Sequence, residues 1–161
     1  MSSPPDAPRR WPDLAGCLIE DGSERRHVLP VRVYFEDTDF SGLVYHATYL
    51  RWCERGRSDF LRLMGNHQAL IAGAGGCEPA AFVVRRMHLE YLKPARIDEV
   101  LEVTTRAKDA TAATLTLDQR ISRDGIDLFT AEVMVVLISA SGKPMRLSSA
   151  LRQALQIRKE C

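Results

Sequence analysis

The sequence predicts an α+β domain in which one long helix packs on an antiparallel sheet. Three observations predict it. Apolar residues recur at helical spacing from about Tyr45 onward, at Tyr49, Leu50, Cys53, Phe60, Leu61 and Met64. After them comes a series of β-branched and aromatic runs, several alternating with period two. Between two of those runs stands Asp124-Gly125, the residue pair of a tight hairpin, so neighbouring strands run antiparallel. One helix against a curved antiparallel sheet satisfies all three.

Taken in order, Val31 to Phe35 is β-branched and aromatic and reads as a strand. Glu36 to Gly42 carries Asp37, Thr38, Asp39, Ser41 and Gly42 and reads as a loop. The helix starts at Tyr45 or His46 and stops at Gly65 and Asn66. His67 to Pro79 reads as a short helical turn and a loop. Its glycines Gly73, Gly75 and Gly76 have neither the spacing nor the preceding strand of a dinucleotide fingerprint. Strands are then expected at Ala81–Leu92, Val100–Lys108, Ala112–Arg123 and Leu128–Ser139. Leu101, Val103 and Thr105 share one face of the second, and Leu115, Leu117, Gln119 and Ile121 one face of the third. Val133 to Ile138 is continuously apolar, which predicts burial on both faces. Ser141 to Pro144 ends that strand, and Ser148 or Ser149 caps a short helix to about Ile157. The edges of such a sheet need cover, and pairing across a dimer supplies it.

Composition narrows the function classes. The 161 residues are enough for one domain with a real core. With 22 basic and 21 acidic residues the net charge is +1, so no bulk field favours nucleic acid or an anionic membrane. No segment has the length and apolarity of a membrane span. Cys17, Cys53, Cys77 and Cys161 are scattered without a CxxC pair, which argues against a disulfide framework or a zinc site and for the reducing cytoplasm. Residues 1–27, rich in proline and arginine and lacking the apolar core of a signal peptide, are expected to be a flexible extension, leaving 28–161 as the folded domain.

The order strand, acidic turn, helix start has a chemical use. The first amides of a helix lack intrahelical acceptors, and the helix dipole adds partial positive charge there. Such an end holds the oxyanion formed when a thioester carbonyl is attacked. A carboxylate in the preceding turn activates water or attacks the carbonyl itself. Asp39 is that carboxylate.

Tyr34 to Asp39 (Tyr-Phe-Glu-Asp-Thr-Asp), followed by Gly42 to His46 (Gly-Leu-Val-Tyr-His) and by Tyr49 and Leu50, resembles hotdog-fold acyl-CoA thioesterases of the 4-hydroxybenzoyl-CoA thioesterase family, in their Tol–Pal-associated branch. Glu54 to Arg57, Phe82 to Met87, Glu90-Tyr91 and Pro94 to Arg96 extend the likeness, which spans about Pro30 to Pro144. The resemblance implies a curved sheet wrapped around one central helix, a homodimer or homotetramer with its sites at the subunit interface, and hydrolysis of an acyl-CoA without metal or bound cofactor. Coenzyme A is then part of the substrate, and an acyl carrier protein is the alternative carrier. It implies Asp39 as general base or nucleophile and the His46 amide as oxyanion donor. Tyr45 and Tyr49 are expected in the pocket walls, beside a strand of the partner subunit.

Each residue has a plainer role as its competitor. Asp39 suits an ordinary turn aspartate bonded to its own backbone. Glu54 lies about two turns beyond His46, where another hotdog branch carries its carboxylate, and equally suits an ion pair with Arg51 or Arg57, each three residues away. Arg85 and Arg86 suit coenzyme A phosphates, but adjacent strand residues face opposite ways. His88 and Glu90 share a strand face without a third metal ligand, and His27 and His67 carry no signal. Two rival functions share the fold: a hydratase or dehydratase of acyl thioesters, and a non-catalytic subunit near the cell envelope that binds acyl-CoA or acyl carrier protein.

Overall fold

In a computed structural model, residues 16–22, 24–65 and 78–155 are described. Six strands form one antiparallel sheet: β1 (Cys17–Asp21), β2 (Glu24–Arg32), β3 (Ala80–Tyr91), β4 (Val100–Ala110), β5 (Thr114–Arg123) and β6 (Ile126–Ser139). Their order is β1-β2-β4-β5-β6-β3. The expected hairpin is present: Arg123 pairs with Ile126 across Asp124 (φ 51°) and Gly125 (φ 76°). Two successive residues in the left-handed region match the twist of the flanking strands.

Helix α1 (His46–Leu63) lies on one face of the sheet. It buries Tyr49, Trp52, Cys53, Gly56, Arg57 and Phe60. The facing side chains are the alternating sets read from the sequence, Leu101, Val103 and Thr105 of β4 and Leu115, Leu117, Gln119 and Ile121 of β5, all buried. Gly56 sets the spacing. A Cβ there would meet Thr105 Oγ1 at 3.0 Å and Val103 Cγ1 at 3.1 Å. The fold is that of a hotdog, one central helix on an antiparallel sheet.

Four expectations need correction. Residues 17–27 are not a flexible tail: β1 and the start of β2 pair from Cys17↔Val28 to Asp21↔Glu24. Polar edge-strand composition hid them, because one face of such a hairpin needs no apolar residues. His27, which carried no signal, is fully buried there, with Nε2 2.7 Å from Asp59 Oδ2 and with Nδ1 unpartnered among the described residues. Asp59 also accepts the Gly16 amide at 2.7 Å, tying the first described residue to α1. Second, the early strand ends at Arg32, and Phe35–Asp37 form a 3-10 turn. The Asp37 carboxylate takes the Tyr34 N–H at 2.8 Å, competing with any strand partner. Third, β6 is buried on one face only. Phe129, Ala131, Val133, Val135 and Leu137 are inside, while Met134, Val136 and Ile138 are half-buried outside.

The fourth concerns β3. Val84 pairs with Val135 and Met87 with Val133, yet only Arg86 opposes the intervening Met134. Arg85 is the extra residue of a β-bulge, so Arg85 and Arg86 both stand on the outer face between inward-facing Val84 and Met87. The bulge lifts the objection that neighbouring strand residues must diverge. The chain closes with α2 (Ser149–Ala154), where the Ser148 hydroxyl accepts the Leu151 amide at 3.1 Å. The turn and loop expected at 67–79 lie almost wholly outside the described residues, as do residues 1–15 of the expected extension, His67, Cys77 and Cys161.

Candidate active site

The acidic turn is built from its own polar groups. Asp39 donates its amide to Leu43 O at 2.9 Å and accepts the Gly42 amide at 3.0 Å. Gly42 takes φ 75°, a conformation costly to any residue with a Cβ. Asp37 is committed to geometry: its carboxylate holds the Tyr34 amide, and its carbonyl accepts the Tyr45 amide at 2.9 Å. The Val44 amide donates to Ala95 O at 2.9 Å, seating the turn against the segment before β4.

Asp39 is exposed. Its Oδ1 accepts the Ser41 amide at 2.8 Å and the Ser41 hydroxyl at 2.5 Å. Those two bonds hold the carboxyl below the ordinary aspartate range; weak desolvation opposes them, and the nearby His46 side chain adds to them. The turn-aspartate role is therefore real, and it occupies one oxygen. Among the described residues Oδ2 accepts no hydrogen bond. An ionised carboxylate with one oxygen fixed and one available is what a general base or a nucleophile requires.

The helix begins where the sequence places it. Tyr45 is the N-cap in extended conformation, offers no side-chain cap, and is followed by His46 as the first helical residue. No acidic residue occupies the first turn of α1, so its positive end is left to groups from outside the helix. Among the described residues nothing accepts from the His46 amide. The His46 side chain is exposed, with its ring 4.4 Å from that of Tyr45. Its carbonyl accepts the Tyr91 hydroxyl at 2.8 Å. Tyr91 also meets Tyr49 and Phe129 edge-on at 5.5 and 5.1 Å. This tyrosine fixes the start of α1 against β3, a role sequence reasoning missed because it depends on a contact between residues 45 positions apart.

The remaining site residues separate. Tyr45 is half-exposed beside His46. Tyr49, expected in the pocket wall, is instead in the core: it is 3% exposed, stacks on Phe129 at 5.4 Å, and accepts the Ala95 amide at 3.2 Å. Its position on the inward stripe of α1 dictates this. Glu54 forms the expected ion pair, with Arg57. Arg57 is buried and passes on to Gln119 Oε1 at 2.8 Å, while Gln119 Nε2 donates to Cys53 O at 2.9 Å and Thr105 Oγ1 at 2.8 Å. Glu54 is thus held at the mouth of an apolar cavity of about 170 Å³, floored by Phe60, Leu115, Leu117 and Val135 and walled by Phe82 and Val84. Cys53 is fully buried, and that burial pushes its thiol up to about 12. Among the described residues no cluster of His, Cys, Asp and Glu is arranged to hold a metal ion, and no helix is long and apolar enough to cross a membrane.

Comparison with known proteins identifies the family. Residues 33–155 match the thioesterase-like superfamily. The acyl-CoA thioester hydrolase YbgC of Escherichia coli is 45% identical over 111 residues, covering 68% of this chain and 79% of that protein. The acyl-CoA thioesterase YbgC of Haemophilus influenzae is 35% identical over 126 residues, covering 78% and 90%. The crystal structure of a probable thioesterase from Bartonella henselae, 44% identical, superposes with a TM-score of 0.72 over 76% of this chain and 99% of the other. A family match across both the acidic turn and the helix it precedes, together with relatives of this identity and coverage, shows that the chain belongs to the thioesterase-like superfamily.

Proposed function

We propose that the protein hydrolyses acyl-CoA thioesters to a free acid and coenzyme A, with Asp39 as general base or nucleophile and the His46 amide as oxyanion donor. The observation that carries this reading is the pairing, within one short segment, of an ionised carboxylate having a free oxygen with an unpaired amide at a helix start. As a base, Asp39 takes a proton from water as its oxygen bonds the thioester carbon. As a nucleophile, it forms an anhydride that water then opens. In both routes the C–S bond breaks, and the thiolate leaves and takes up a proton. No electron transfer is involved, so coenzyme A enters only as part of the substrate and no further cofactor is required.

The acyl group is short to medium in length, or aromatic; the apolar cavity of about 170 Å³ beside Glu54, two helical turns from His46, is the space offered to it. Tyr45 and the Glu54 carboxylate flank its path. The protein works as a homodimer or homotetramer. Supporting this, Phe35 and Phe40 beside Asp39 are 81% and 108% exposed, and edge strand β3 presents Val83 and Val84. A second copy covers these groups and shields the carboxylate from bulk solvent while leaving room for the water that reacts. In this reading the enzyme is cytoplasmic and belongs to the Tol–Pal-associated branch, with acyl carrier protein the alternative to coenzyme A as carrier.

The test follows free thiol release from a panel of acyl-CoA esters by the wild type, Asp39→Ala and Asp39→Asn. The amide of the asparagine variant keeps an oxygen for both Ser41 bonds, so the fold is retained while the base is lost. We expect Asp39→Asn to lose about 10²- to 10⁴-fold in kcat with an unchanged urea midpoint. Activity surviving in both variants moves the chemistry to Glu54. Hydration of an enoyl-CoA without thiol release, or tight binding without turnover, sinks the hydrolase reading.

A further inference from the structure

On the β2 side of α1, away from the apolar cavity, lies an open groove of about 550 Å³. It is lined by three guanidinium groups from two elements, Arg32 of β2 and Arg55 and Arg62 of α1. Arg55 and Arg62 fall on one helix face, seven residues apart. Among the described residues the groove gathers three arginines and one carboxylate.

That carboxylate, Asp59, is already engaged by the His27 ring, the Gly16 amide and Arg62. Arg32 gives one N–H to the Asp98 carbonyl at 3.0 Å and meets no carboxylate among the described residues. Arg55 is exposed and meets no carboxylate among the described residues. Tyr34, 61% exposed, adds an aromatic face at the groove. Guanidinium forks paired with an aromatic face suit a nucleotide that carries more than one phosphate. Tyr34 also lies five residues before Asp39, at most ~17 Å of chain away.

We propose that the Arg32–Arg55–Arg62 groove holds the phosphorylated adenosine end of the coenzyme A substrate, with Tyr34 against the purine and the pantetheine arm running to Asp39. The assignment rests on the acyl-CoA reading above and adds to it the place where the carrier is recognised. The phosphates are held by ion pairing and hydrogen bonds, so binding weakens as salt rises.

Calorimetric titration of the whole protein with coenzyme A, adenosine 3′,5′-bisphosphate and pantetheine tests it. The variants are Arg55→Ala and Arg32→Ala, with Arg120→Ala on the outer sheet face as control. Arg62 is left intact because it supports Asp59. Loss of one charged hydrogen-bonding partner corresponds to on the order of tenfold in affinity. We expect Arg55→Ala and Arg32→Ala each to weaken coenzyme A and the bisphosphate about tenfold, with pantetheine and Arg120→Ala unaffected. Coenzyme A affinity unchanged in both variants, or no binding of the bisphosphate, overturns the proposal. Binding is read without turnover, so the two readings fail separately. A protein that binds through these arginines but hydrolyses nothing sinks the hydrolase, and one that hydrolyses with both variants binding normally sinks the groove.

Discussion

Replacing Gly56 by alanine sets two well-characterised effects against each other. Alanine is favoured over glycine in a helix interior by about 1 kcal/mol. Against this stands the room available. The new methyl would sit 3.0 Å from Thr105 Oγ1, 3.1 Å from Val103 Cγ1 and 3.4 Å from Gln119 Nε2. Two of the three belong to fully buried polar side chains that bond each other at 2.8 Å, so neither can yield without disturbing that bond. Overpacking of this kind costs about 1–3 kcal/mol. If the Thr105–Gln119 bond opens, a buried donor left unsatisfied adds about 1–3 kcal/mol. Since neither side chain can yield with that bond intact, the sum is net destabilisation of about 1–5 kcal/mol. Urea denaturation of wild type and Gly56→Ala, analysed at constant m, measures it. A variant as stable as the wild type, or more stable, would refute the claim that this glycine sets the distance between α1 and the sheet.

Three further outcomes are expected. The Asp39 carboxyl is held below the ordinary aspartate range, so kcat/KM stays level as pH falls from neutral through that range and drops only beneath it; a half-loss between pH 5 and 6 would contradict the geometry. Asp59 is desolvated, yet hydrogen bonds from His27, Gly16 and Arg62 lower its pKa. It therefore stabilises the fold at pH values above its unfolded pKa, and that contribution fades as pH falls through its folded value. Asp59→Asn should cost about 1–3 kcal/mol at neutral pH, with the gap from wild type closing in acid, as urea melts at several pH values would record. Tyr91→Phe removes the hydroxyl that holds the His46 carbonyl, so kcat should fall about three- to tenfold while stability changes by less than about 1 kcal/mol; a loss of stability without a loss of rate would make Tyr91 merely structural.

What could be read in advance was whatever is decided locally. The start of α1 at His46, the Asp124-Gly125 hairpin and the Ser148 cap each follow from one to three neighbouring residues. Period-two alternation named the buried faces of β4 and β5, including Gln119, although nothing local said that its partner would be Arg57. Asp39 was legible as a turn residue from its neighbours, and as more than that through the motif around it. The bond from Tyr91 to the His46 carbonyl, the burial of Arg57 and the bulge at Arg85 depend on distant segments meeting in a particular register, which no local pattern encodes. The β1–β2 hairpin escaped for another reason. Its edge position lets polar residues fill it, and its one buried side chain is a histidine.

The bulge in β3 also bears on how this protein can change in length. Elsewhere in the strand, deleting one residue would turn every side chain on one side of the cut to the opposite face, exposing core residues or burying charges. Between Val84 and Met87 the chain already carries one residue more than its partner needs. Removing Arg85 would leave Val84, Arg86 and Met87 in simple alternation, with both halves of the strand still correctly faced. The strand therefore has a joint at which evolution can add or remove a residue without reversing the sheet. In this chain that spare position holds a second arginine beside the first.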